Sequence, residues 1–114
     1  MKVINVGSLN LDHVYRVDRF LLPGETKPSQ SYKITAGGKG LNQSIALAKA
    51  GATVYHGGAV GENCELLLQA LRNAGVHLEY LMHLREPCGH AVIQVDDQGQ
   101  NCILIHGGTN RMLN

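Results

Sequence analysis

A cluster of glycines in this chain runs directly into a helical pattern and carries polar side chains beside it. The stretch spans residues 36–43, with the sequence AGGKGLNQ. Glycines such as Gly38 permit positive φ and close backbone approach, and a helix that starts here offers unpaired N–H groups with a positive dipole end. Lys39 and Asn42 add side-chain donors. Together these groups favour an oxygen-rich ligand such as a polyol.

Two better-known glycine signatures do not fit this stretch. A Walker A loop needs a glycine where Lys33 stands and Ser or Thr after its lysine, but Lys39 is followed by Gly40. A dinucleotide fingerprint needs a third glycine where Gln43 stands. The stretch therefore predicts neither of these phosphate-binding loops.

The same stretch resembles the first signature of the ribokinase family, the phosphofructokinase-B-type carbohydrate kinases. In that signature a small residue and two glycines are followed by a nearby Asn and then by spaced glycines, here Gly51 and Gly61. Further motifs of the family occur in the expected order: VGSLNLD at 6–12, LPGET at 22–26, NAGV at 73–76, GHAV at 89–92 and IHGGTN at 105–110. The resemblance covers nearly the whole chain. One departure is VGENCE at 60–65, where the family has Val-Gly-Asp-Asp-x-x-Gly, which predicts an altered turn.

The resemblance implies a set of sugar-binding residues. The positions that match are Asn10, Asp12, Gly38, Lys39 and Asn42. A carboxylate accepts charge-assisted hydrogen bonds from neighbouring hydroxyls, and an Asn side chain supplies a donor and an acceptor. Residue type alone also allows plainer roles: Asp12 as a turn cap, Lys39 as a solvated lysine, and Asn42 as a surface residue.

The length of 114 residues bears on the activity that the resemblance implies. Family members are much longer, and their ATP site and the catalytic Asp of a Gly-x-Gly-Asp-like motif lie toward the C-terminus. No such motif occurs in this sequence, so we expect the N-terminal part of an ATP-dependent sugar kinase, with no catalytic residue and with ATP and Mg²⁺ bound outside it. The alternative is a truncated, non-catalytic module for sugar binding or dimerisation. The sequence does not distinguish ribose, other pentoses, ketohexoses and nucleosides as the substrate.

Composition sets limits on partners and location. A net charge of +1 without any Lys/Arg run argues against nucleic acid or an anionic membrane as the main partner. No apolar run approaches the ~20 residues of a membrane span, and nothing resembles a signal peptide, so we expect a cytoplasmic protein. Three cysteines without a C-x-x-C spacing predict free, reduced thiols, and the six histidines lack zinc-site spacing.

Hydrophobic periodicity predicts an α/β fold. The predicted strands are 2–7, 14–20, 31–35, 53–60, 78–84, 90–96 and 101–106, and the predicted helices are 40–50 and 65–74. Alternating strands and helices imply a parallel core sheet flanked by helices. The resemblance to the ribokinase family implies that the remaining strands, in segments of about 13–35 and 89–106, form a small β lid. Family members often dimerise through such lids, so we expect a homodimer.

Overall fold

A computed structural model describes residues 2–112 of the chain and shows an α/β fold with two sheets. The elements in chain order are β1 Lys2–Val6, β2 Asn10–Arg16, β3 Ser31–Gly37, α1 Lys39–Lys49, β4 Thr53–Glu62, α2 Glu65–Asn73, β5 Leu81–Pro87, β6 Gly89–Val95, β7 Asn101–His106 and a 3₁₀ helix Gly108–Met112. The predicted fold class and both predicted helices are confirmed.

The first sheet is the predicted parallel core. Its strand order is β1-β4-β5, and both pairings are parallel. Helix α2 packs an apolar stripe inward, with Leu67 and Leu71 fully buried. The same core cluster includes Leu41 of α1 and, from the other sheet, Leu11 at the start of β2. One core therefore anchors the elements that carry the polar motifs.

The second sheet has the strand order β3-β2-β6-β7. Strands β2 and β6 pair in parallel, whereas β3 and β7 flank them in antiparallel orientation. The turn between β6 and β7 is built by Asp96, whose Oδ1 accepts hydrogen bonds from the N–H groups of Gln98 and Gln100 at 3.0 and 2.9 Å. Gly99 has a φ of 79° in this turn. The predicted hairpin is therefore confirmed.

Two strand predictions were misplaced. The strand expected at 14–20 is β2, Asn10–Arg16, because the cross-strand partner Gly37 begins the ladder at Asn10. The strand expected at 78–84 is β5, Leu81–Pro87. A hydrogen bond from the Leu81 N–H to the Leu78 carbonyl closes a turn first. The residues of this second turn, 78–81, include neither Gly nor Pro.

The expectation of three free thiols is wrong for two of the cysteines. The structure joins Cys64 and Cys88 as a disulfide, with their Cα atoms 6.2 Å apart, and both residues are buried. Parallel pairing of β4 with β5 brings Glu62 opposite Pro87 and so places the two cysteines together. The spacing of 24 residues carries no such information. Cys102 is free and exposed.

Within residues 2–112, neither α-helix is long and apolar enough to cross a membrane. The longer one, α1, has 11 residues, whereas a spanning helix needs about 20.

Candidate functional site

An open cavity of about 380 Å³ lies between the N-terminus of α1 and one face of the second sheet. Its lining residues are Ser8, Asn10, Asp12, Gly38, Lys39, Asn42, Ala91, Ile93, Ile103 and Ile105. All five sequence-predicted residues are therefore brought to one place. Sequence reasoning missed the other five, four of which come from β6 and β7.

Glycines allow α1 to begin directly against the turn between β1 and β2. Gly38 has a φ of 103°, and a Cβ there would lie 2.7 Å from the Ser8 carbonyl oxygen. A Cβ on Gly40 would lie 2.4 Å from the carbonyl carbon of Gly7. The N–H of Leu41 donates to the Ser8 carbonyl at 3.1 Å. The turn and the helix start thus form one wall of the cavity, and larger residues would separate them.

Asp12 provides a carboxylate inside the cavity. It lies on β2 between Thr35 of β3 and Ala91 of β6, and a Cβ on Gly37 would lie 2.5 Å from its Oδ2. Burial raises the pKa of Asp12 above its usual value, although the nearby His13 partly opposes the shift. Among residues 2–112 this carboxylate has no hydrogen-bonded or ion-paired side chain. It is therefore available as an acceptor for a ligand.

Asn10 lies at the start of β2 and contacts a residue far along the chain. Its Oδ1 accepts a hydrogen bond from Asn110 Nδ2 at 2.7 Å. Asn110 belongs to the 3₁₀ helix and was not among the predicted site residues. Its only sequence signal was its place in the IHGGTN motif at 105–110.

A buried polar network supports the cavity from behind. Asn5 Nδ2 donates to the Gly40 carbonyl at 3.0 Å and to Ser44 Oγ at 2.9 Å. Ser44 Oγ lies 2.6 Å from His56 Nδ1, and His56 Nε2 lies 3.1 Å from the Gly7 carbonyl oxygen. A carbonyl can only accept, so Nε2 carries the proton and Nδ1 accepts from the hydroxyl. Burial lowers the pKa of His56, which keeps it neutral in this network.

The opposite wall of the cavity is apolar. Ala91 and Ile93 of β6 face the same side of the sheet as their β7 partners Ile105 and Ile103. The two β7 side chains are also open to solvent, with relative exposures of 69% and 50%. A site with hydrogen-bonding groups on one side and C–H surface on the other suits a small polyol, whose hydroxyls and C–H groups divide in the same way.

The chain is similar to known carbohydrate kinases over nearly its whole length. The family described as pfkB family carbohydrate kinase matches residues 1–114. A ribokinase from Arabidopsis thaliana is 39% identical over 113 residues, which cover 95% of this chain and 30% of that protein.

Two solved structures have closely similar folds. Arabidopsis thaliana ribokinase complexed with ribose and ATP has a TM-score of 0.87 and 39% identity, over 96% of this chain and 36% of that one. Ribokinase from Cryptococcus neoformans in complex with ADP has a TM-score of 0.87 and 37% identity, over 95% and 35%. The chain thus spans about a third of the length of these proteins.

Proposed function

Because this chain belongs to the pfkB family of carbohydrate kinases, we propose that it is the sugar-binding N-terminal part of an ATP-dependent kinase for ribose or a similar sugar. The whole enzyme transfers the γ-phosphoryl group of ATP to a sugar hydroxyl. The observation that carries the proposal is the convergence of Asn10, Asp12, Gly38, Lys39 and Asn42 on one cavity. They come from two separate segments, 10–12 and 38–42.

The proposed roles follow from the chemistry of each group. The Asp12 carboxylate accepts hydrogen bonds from two neighbouring hydroxyls, and its burial strengthens those bonds while it is ionised. Lys39 and Asn42 are exposed on the first turn of α1 and donate to other sugar oxygens. Gly38 lets the sugar approach the backbone. The segment contributes to phosphoryl transfer by fixing the position of the acceptor hydroxyl.

ATP and Mg²⁺ belong to the proposed whole enzyme. The solved ribokinases were obtained with ATP or ADP, which supports a nucleotide as the second substrate. Mg²⁺, when bound, would help to neutralise the charge that develops on the phosphates. We place both outside this segment, together with the base that takes the hydroxyl proton.

We also propose that the second sheet acts as a lid over the sugar and pairs with a second copy of the chain. Support comes from edge strand β7, where Leu104 is 73% exposed beside the exposed Ile103 and Ile105. An edge strand with apolar side chains and unpaired N–H and C=O groups favours association. A cytoplasmic location stays a prediction.

Calorimetric titration with ribose, 2-deoxyribose and fructose tests the proposed binding. Asp12→Ala should weaken ribose binding more than Lys39→Ala, because each charge-assisted hydrogen bond contributes about 1.5–3 kcal/mol and a mobile exposed lysine makes a looser contact. Matched controls are Asp97→Ala and Lys49→Ala, which remove the same charges at exposed positions. Equal affinities for the parent and the Asp12 variant would remove Asp12 from the site.

A further inference from the structure

The amide of Asn110 is held in one orientation by the backbone of Leu9, about 100 residues earlier in the chain. Asn110 Oδ1 accepts from the Leu9 N–H at 2.9 Å, and Asn110 Nδ2 donates to the Leu9 carbonyl at 3.0 Å. A backbone N–H can only donate and a carbonyl can only accept. The two Leu9 groups therefore fix which side of the Asn110 amide is the donor.

This orientation fixes a second amide. The remaining donor of Asn110 Nδ2 points at the side chain of Asn10, 2.7 Å away. The Asn10 atom that meets a donor must be its oxygen, so the Asn10 Nδ2 group is directed elsewhere. Within the described part of the chain that Nδ2 has no hydrogen-bond partner, and Asn10 lines the site cavity. We infer that Asn110 is a positioning residue that holds Asn10 as a hydrogen-bond donor toward the ligand.

Gly89 is the third member of this arrangement. It pairs with Asn10 across the β2–β6 ladder. A Cβ on Gly89 would lie 2.1 Å from Asn110 Nδ2 and 2.6 Å from Asn10 Oδ1. A methyl group here would thus occupy the space of the hydrogen bond itself. Only glycine at this position leaves the two amides in contact.

The fixed orientation of the Asn10 amide affects which ligands the site prefers. This step rests on the proposed sugar-binding function. Asp12 offers only acceptor oxygens when ionised, whereas Asn10 offers donors. A hydroxyl can donate to Asp12 and accept from Asn10 at the same time. The pair therefore selects a ligand that carries a hydroxyl at this place, and a deoxy analogue leaves both protein groups without a partner.

Asn110→Asp tests the inference with almost no change in shape. The variant keeps the acceptor for the Leu9 N–H but loses the donors to the Leu9 carbonyl and to Asn10. The Asn10 amide then turns, donates to the new carboxylate and offers its oxygen to the cavity. Ribose affinity should fall about tenfold, the loss of about one hydrogen bond. Asn101→Asp, the same change at an exposed position of β7, should have no effect.

A double-mutant cycle separates positioning from general damage. In an Asn10→Ala background, Asn110→Asp should weaken ribose binding no further, because Asn110 acts through Asn10. Losses that simply add would overturn the inference. Urea denaturation of each variant shows whether a loss of affinity accompanies unfolding.

Side-chain amide NMR of the ligand-free chain gives a readout that needs no sugar. The Asn110 amide protons should exchange slowly and those of Asn10 rapidly, and Asn110→Asp should protect the Asn10 protons instead. Rapid exchange at Asn110, equal to that of Asn101, would contradict the inference. A parent chain with slow Asn110 exchange and no ribose binding would refute the proposed function and leave the amide orientation supported.

Discussion

Replacing Ser44 with alanine should destabilise the whole fold, although Ser44 makes no contact with the cavity. Its side chain is fully buried, and its hydroxyl joins Asn5 Nδ2 at 2.9 Å to His56 Nδ1 at 2.6 Å. Ser44→Ala leaves His56 Nδ1 without its donor in a place where the histidine is itself fully buried. An unsatisfied buried polar group costs about 1–3 kcal/mol. We therefore expect the free energy of unfolding to fall by that amount.

Urea denaturation followed by circular dichroism at pH 7.5 measures the effect. Ser29→Ala, the same change at an exposed position, serves as the control and should stay within about 0.5 kcal/mol of the parent. If Ser44→Ala also stays within that range, the network does not support the fold as the hydrogen bonds indicate.

Four further predictions can be checked on the same material. Burial lowers the pKa of His56, so on acidification the unfolded chain takes up this proton at a higher pH than the folded chain does. The free energy of unfolding should therefore fall as pH drops below about 6.5, by at most ~1.4 kcal/mol per pH unit for this one group. His56→Phe should flatten that slope in urea titrations. Burial raises the pKa of Asp12, which means that the ionised carboxylate destabilises the folded chain. In calorimetry at pH 7, Asp12→Asn should therefore raise the melting temperature while it weakens ribose binding. The gain in melting temperature should vanish at pH values below about 3.9, where the unfolded carboxyl is also protonated. The parent chain should self-associate, and Leu104→Lys on edge strand β7 should lower the mass measured by light scattering. A constant mass near 12.3 kDa for the parent would contradict this prediction. The 114-residue chain on its own should release no ADP with any sugar in a coupled assay, and sugar-dependent turnover that Asp12→Ala abolishes would overturn that expectation.

Local sequence rules predicted much of the fold. Helix α1 was expected at 40–50 and is Lys39–Lys49, because apolar spacing and the flanking glycines both act within a few residues. The β6–β7 hairpin was predicted for the same reason, since Asp96 and Gly99 build their own turn. Strand β2 was misplaced because its register depends on β3 and β6, which pair with it from distant parts of the chain.

The candidate site divides in a similar way. Asp12 and Lys39 belong to contiguous motifs, and the motifs alone pointed to them. Asn110 and the Cys64–Cys88 pair were missed because their contacts join residues that are far apart in sequence. Asn110 meets Asn10, and Cys64 meets Cys88, only once distant strands have paired and the chain has folded back on itself. No periodicity encodes such contacts.

An NMR titration with ribose tests most directly whether a sugar site lies at the start of α1. Backbone amide shifts of the uniformly ¹⁵N-labelled chain would be followed in the parent and in Asp12→Ala. We expect saturable shifts in residues 8–12 and 37–42, little change around the exposed Asp97 turn, and a much weaker response in the variant. No saturable shifts in the folded parent, or shifts unchanged by Asp12→Ala, would contradict this expectation.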